Sequence, residues 1–285
     1  MSKIKLAATL LFYTAVFCGT TQAQRKVLAV AEVKIADSIK SSAQKDNTLL
    51  SLQRVTDAID GQLIDAMNGT RKFELTARSD LDALLEDAAL TGDTIQATKA
   101  DYLIVPSVDD FQDFLETMTF SGIGKTVSKR KIRLGMVARI YEVKTGKLIE
   151  SANFQLDNKQ MEDLLSSSKN GSFSDELLRK IAQQMSLQVA NRVVDVIYPA
   201  KILSITGKQA MINRGDGTGI TAGQVWEVFA IGEEMIDPDT GESLGGSEIK
   251  VGELKITRVN PKFSIGVLTE DFGVVKGSVV RQTIQ

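Results

Sequence analysis

Leu49, Leu52, Val55, Ile59, Leu63 and Met67 recur at intervals of three and four residues, which predicts an amphipathic helix with one apolar stripe. Asn68–Gly69 should end it, because both residue types tolerate a left-handed C-cap. The period then changes. Phe73, Leu75 and Ala77 alternate with Lys72, Glu74 and Thr76, the pattern of a half-buried strand. Ser79 follows as a helix N-cap with Asp82 in the first turn, and Leu81, Leu84, Leu85 and Ala88 share one helical face until Gly92. Tyr102–Val105 is a continuous apolar run of the kind buried on both sides. Strand, helix and strand in this order predict a right-handed crossover within one sheet, and the rest of the chain must supply its covering layers.

The same reading places a strand over Lys26–Lys34 and a polar loop over Ile35–Thr48. A long segment with Gly122 and Gly124 near its middle precedes Val137–Val143, and Lys144–Gly146 turns that strand into Lys147–Leu156. Asp157–Gly171 is a polar, Ser-rich connection. A long helix starts at Ser172 or Ser174, with Leu177, Leu178, Ile181, Met185, Val189, Val193 and Val196 on one face, and has ended before Pro199. Beyond Ala200 the texture becomes short strands and glycine turns: Lys201–Ile205, Gln209–Asn213, Gln224–Ala230, Lys250–Val259, Lys262–Leu268 and Ser278–Ile284. GITAGQVWEV at Gly219–Val228 echoes GVVKGSVVRQ at Gly273–Gln282. The expected organisation is a signal peptide at 1–23, an α/β (α+β mixed-sheet) domain at 24–198, and a small all-β, barrel-like domain at 199–285.

The 285-residue chain contains no histidine, and Cys18 is its one cysteine. That removes the imidazole of a Ser–His or Cys–His nucleophile and the usual ligands of structural zinc. Lys3 and Lys5, the apolar Leu6–Phe17 and the small-residue site Thr21–Gln22–Ala23 form a secretory signal, too short to span a bilayer. Cleavage after Ala23 leaves 32 basic residues against 36 acidic, a charge of −4 that gives no field for nucleic acid. Phe17 stands where a lipoprotein signal needs a small residue before Cys18, so soluble export is expected over a lipid anchor.

Gly124–Lys125–Thr126 ends like a phosphate loop, but Thr119 replaces the glycine required five positions earlier, so a hairpin tip is the better reading. Asp237–Glu242 spaces acids like a calcium loop. Gly241 is one position early, and turn chemistry between two strands explains the segment. Gly215, Gly217 and Gly219 resemble half a dinucleotide fingerprint with no helix after it, and read as turns. Trp226, alternating with Val225 and Val228, reads as core. The densest basic run, Lys129, Arg130, Lys131 and Arg133, is either a solvated strand face or a contact for anionic head groups or an acidic partner. No catalytic, cofactor or metal residues are expected.

FELTARSDLDALLEDA, TGD, ADYLIVPSV and YEVKTGKLIES, in that order, resemble the CsgG-like family named for the outer-membrane curli secretion channel, over about Arg25–Pro199. RGDGTGITAGQVWEVF, DPDTGESLG, VGELKITRV and VVKGSVVRQ resemble the C-terminal domain of the flagellar accessory protein FlgT. Ala77–Arg78 stands where the family carries Glu-Arg, and Pro106 where it carries glycine. The resemblance implies an assembly or secretion accessory and self-association into rings. A pore is disfavoured, since the first candidate hairpin carries Lys129–Arg133 and each such charge costs roughly 2–4 kcal/mol at the bilayer midplane. The expected protein is non-enzymatic, periplasmic and in peripheral contact with an outer membrane. Its expected partners are envelope or surface-structure assembly proteins. The alternative from another class is a cell-wall polymer-binding module or regulator of peptidoglycan synthesis.

Overall fold

A computed structural model describes residues 25–76, 100–120, 125–156, 160–162, 164, 175–239, 241 and 243–283. The protein is mixed α/β with two six-stranded sheets. The first contains β1 (Lys26–Val30), β2 (Lys34–Ile35), β3 (Phe73–Leu75), β4 (Tyr102–Phe120), β5 (Lys125–Glu142) and β6 (Lys147–Gln155). Its order is β3-β1-β4-β5-β6, with β2 also paired to β4. β1, β2, β3 and β4 run parallel where they pair, and β5 and β6 are antiparallel additions. The expected strands at 73 and 102 therefore share a sheet, but β1 lies between them. The helix expected from Ser79 lies outside the described residues.

One face of this sheet is covered by α2 (Leu49–Gly69) and α3 (Asp175–Ile197). Leu52, Val55, Ile59, Leu63 and Met67 of α2 are each fully buried, as are Ile181, Met185, Val189 and Val193 of α3. They pack on Leu28, Ile104, Leu134, Met136 and Ile140 of the sheet. The Ser186 hydroxyl donates to the Ile59 carbonyl (3.4 Å), tying the two helices together.

Three local expectations need correction. The segment 35–48 is not a loop, since α1 (Asp37–Lys45) occupies most of it. Asp37 in its first turn and Lys45 in its last suit the helix dipole, but only Ala43 is buried, so there was no apolar stripe to read. Helix α2 is followed by Thr70 in the ordinary helical conformation, and the left-handed residue is Arg71 (φ 56°), not Asn68 or Gly69. The polar connection after β6 includes helical residues 160–162 and 164, and Met161 there is buried in the main core.

Pro106 is accommodated by a gap. The Ile104 and Val108 carbonyls accept from Ala31 and Ala36, so their side of β4 faces β1 and β2. Pro106, midway between them, faces the break between those strands, where no ladder bond is lost.

The second sheet contains β7 (Ile202–Thr206), β8 (Gln209–Ile212), β9 (Val225–Ile236), β10 (Ser243–Val259), β11 (Ser264–Asp271) and β12 (Val279–Gln282), in the order β12-β9-β10-β11-β8-β7. All six expected strands are present, but β9 and β10 are longer than their apolar patterns. The ladder is open. Its ends are tied only by a single bridge, Lys201↔Val279, and flanking bonds such as Val280 N–H to the Ala200 carbonyl (2.9 Å), so the expected barrel is not formed as a closed ladder. Trp226, Val228, Leu254, Ile256 and Val280 make its core, and the Trp226 indole N–H reaches Gln224 Oε1 (3.2 Å).

Candidate functional site

β4 and β5 outrun their neighbours. Pairing of β5 to β6 stops at Gly135 and pairing of β4 to β2 stops at Val108, yet β4 and β5 stay paired out to Phe120↔Lys125. About ten residues on each strand thus form a two-stranded ribbon roughly 33 Å long at 3.3 Å per residue. It starts at a bulge, where Asp109 and Asp110 together oppose Gly135. A Cβ on Gly135 would lie 2.9 Å from Asp110 Cβ and 3.2 Å from Asp109 Oδ1, so glycine makes room for the bulge. The bulge also reverses the in–out alternation of β4, returning Phe111 to the helix-side core.

The basic run divides between the ribbon's two faces. Arg130 shares a face with the buried Ile132 and Leu134, and its guanidinium forks onto Asp113, Nε to Oδ1 at 2.6 Å and Nη2 to Oδ2 at 2.5 Å. With side-chain exposures of 18% and 3%, this pair is structural. On the opposite face Lys131 pairs with Glu116 (2.8 Å) and Arg133 with Asp110 (2.6 Å), both diagonal to the register. Lys129 stands opposite Glu116 in the ladder. The half-exposed Phe114 is opposite Lys131. The run is therefore not one cationic face: one of its four residues is anchored inward, and two others already have carboxylate partners. Asp110, Asp113 and Glu116 could not be read as those partners from the sequence, because the bulge had to be known first. The tip, 121–124, lies outside the described residues, as does the glycine of Gly124–Lys125–Thr126.

A second ribbon leaves the other sheet. β12 pairs with β9 only over Trp226–Phe229 and β11 with β10 only over Gly252–Val259, while β9 and β10 continue together to Ile236↔Ser243. The Asp237 carboxylate accepts the Asp239 N–H (2.8 Å) and its carbonyl accepts Gly241 N–H (2.8 Å), so the calcium-like acid closes a turn. Ile231, Met235, Ile236 and Ile249 on this ribbon are all exposed.

The glycine run after Arg214 is the junction between the two sheets. Gly217 (φ 81°) lies so close to the end of α2 that a Cβ would approach the Gly69 carbonyl oxygen to 2.3 Å. Fully buried Arg214 donates to Asp195 Oδ1 and to the Tyr198 carbonyl, both 2.6 Å. Lys72 Nζ reaches the Asn213 carbonyl (2.7 Å). Burial, and then the neighbouring Arg214 guanidinium, hold its amine below the usual lysine value. The apparent dinucleotide motif is thereby explained as a docking element.

Beside the junction, Glu150, Arg192, Asp195, Trp226 and Arg281 line a cleft of about 560 Å³. Arg192 is held by Glu150 (Nε to Oε1 3.0 Å), Asp195 by Arg214, and Arg281 by Glu248 while lying 5.5 Å over the Phe229 ring. Its charges cancel, so it selects neither anions nor cations. Among the described residues no three His, Cys, Asp or Glu side chains gather as a metal-holding group, and no helix is long and apolar enough to cross a membrane.

No family model and no curated protein matches the chain. Among solved structures it is similar to a hypothetical protein from Chlamydia trachomatis, at 10% identity over 61% of this chain and 99% of that one, with a TM-score of 0.35. It is similar to the PelC dodecamer from Paraburkholderia phytofirmans at 14% identity, over 57% of this chain and 87% of that one, with a TM-score of 0.25. With TolB from Acinetobacter baumannii the similarity is 9% identity over 92% of this chain and 61% of that one, TM-score 0.29. Likeness at this level leaves function to be argued from the chain's own residues.

Proposed function

We propose that the protein is a non-enzymatic accessory of assembly or secretion in a cell envelope with an outer membrane, of the CsgG-like type, acting through protein–protein contacts. Its exported form works in the periplasm, in peripheral contact with the outer membrane, and its N-terminal sheet with α2 and α3 is the scaffold for self-association. The second sheet, whose sequence resembles the FlgT C-terminal domain, serves as adaptor. The observation that carries this reading is the pair of ribbons extending past the strands that should flank them. A two-stranded ribbon alone is marginally stable in water and leaves both edges unpaired, so a chain that keeps two of them presents them to something. The N-terminal secretory signal and the lack of imidazole agree with it.

The test is fractionation of cells producing the protein, with chemical cross-linking of the intact envelope. The reading expects a processed chain in the envelope fraction, cross-linked to copies of itself and to components of one surface structure. Turnover of a substrate by the purified protein would overturn it. So would co-sedimentation with peptidoglycan sacculi as a monomer, the outcome expected of a cell-wall polymer binder.

A further inference from the structure

The two ribbons have opposite charge. Over residues 110–134 the sequence carries five Lys or Arg (Lys125, Lys129, Arg130, Lys131, Arg133) against three acids. Over residues 231–249 it carries six acids (Glu233, Glu234, Asp237, Asp239, Glu242, Glu248) and no Lys or Arg. Of these, Glu248 is held by Arg281 at the ribbon's root, and Glu234 accepts from the Ser243 hydroxyl. Beyond the Glu116–Lys129 pair the first ribbon's one charged residue is Lys125, and beyond Glu248 the second ribbon's charged residues are all carboxylates. Each also exposes apolar surface: Phe114 at 49% on the first, and Ile231 and Ile236 at 51% and 55% on the second. Among the described residues no further strand pairs with either distal half.

We propose that the basic ribbon of one copy docks against the acidic ribbon of a second copy, head to tail. This rests on the self-association reading above and specifies its interface. Opposite signs steer the encounter and fix its register, while Phe114 and the exposed isoleucines supply area removed from water. The two ribbons belong to different sheets, so the contact is heterologous: every copy offers one donor and one acceptor arm, and the assembly closes into a ring or grows as a filament. Lys131, which exchanges Glu116 for the second copy's carboxylates, and Lys129, opposite Glu116 in the ladder, are the cations assigned to the contact. Arg130, committed to Asp113, holds the ribbon's base instead.

Charge swapping tests it. Sedimentation velocity of the processed chain at about 50 mM salt should show species larger than a dimer, and about 500 mM salt should dissociate them as the Debye length shrinks. Lys129→Glu/Lys131→Glu and, separately, Glu233→Lys/Glu234→Lys should each weaken self-association by about tenfold or more. Mixed together, the two variants should reassemble, because each then carries the arm that the other has lost. That rescue also shows that both variants are folded. Variants that assemble like the parent, or a mixture that stays monomeric, overturn the pairing while leaving the self-association reading in place. A parent chain that is strictly monomeric at low salt overturns both. If the parent binds vesicles of phosphatidylglycerol and phosphatidylethanolamine, and Lys129→Glu/Lys131→Glu abolishes that binding without altering assembly, the basic ribbon faces lipid and the pairing is overturned.

Discussion

The first sheet rests on helices α2 and α3, whose stripes bury a continuous apolar layer against it, whereas the second sheet, helix-free over the described residues 200–283, packs a small core around Trp226, Val228 and Leu254. Both send out a long ribbon, and the roots of the ribbons differ. The first is rooted by a bulge and an inward Arg130–Asp113 fork beside the helix-side core. The second is rooted by Arg281–Glu248 and by Lys250 bridging Glu227 and Glu253, all at the surface. A thick core lets a sheet bury a charge pair at its margin. A thin one leaves the same task to solvated pairs, each worth little.

Substitutions at the two roots test this contrast, beginning with the strongest. Asp113→Ala should destabilise the protein by about 3–5 kcal/mol in urea unfolding, because the Arg130 guanidinium stays largely buried without its carboxylate. The double change Asp113→Leu/Arg130→Leu should recover most of that loss. At the second root, Glu248→Ala should cost no more than about 1 kcal/mol. Equal losses at the two roots would erase the contrast.

Gly217→Ala should cost about 2–4 kcal/mol, since the new Cβ meets backbone of α2 and the residue keeps a left-handed φ. In calorimetry the parent should unfold in one transition and this variant in two, because the change loosens the one sheet from the other. Gly135→Ala should have a smaller effect, about 1–2 kcal/mol, shifting the bulge rather than abolishing it.

The smallest effect is acid dependence in the second sheet. Asp271 accepts the Val274 and Gly273 N–H groups, in that order of importance, and these hold its carboxyl below its ordinary value of 3.8. The folded state therefore binds the proton more weakly than the unfolded chain. The contribution is full above 3.8 and is lost as pH falls through the lower folded value. Asp271→Asn should flatten the fall of the urea midpoint below about pH 4.

Wherever one element buries one regular stripe, the sequence was readable. Leu52 to Met67, Leu177 to Val193 and the six strands after Ala200 all lie where their periods put them. Reading failed where burial is sparse, as in α1 with Ala43 alone buried, and where alternation breaks, as at Asp109–Asp110. It also failed for β9, whose outer half, 231–236, is exposed on both faces and so carries no period at all.

The candidate surface was half legible. The cationic run stood out by composition, and alternation along β5 alone separates Arg130 from Lys129, Lys131 and Arg133, but which acids of β4 meet them depends on the bulge at Asp109–Asp110. The acids of the second ribbon read as a turn because nothing in their spacing shows that two strands continue past their sheet.

The stripes, the strands and the absence of imidazole were thus legible before folding, because periodicity and composition are local properties of a chain. That Arg130 turns inward to Asp113, that Gly217 lies against Gly69, and that two ribbons of opposite charge stand clear of their sheets emerged from the folded molecule. Each of these joins residues distant in sequence, and register, close approach and exposure exist only once the chain has folded.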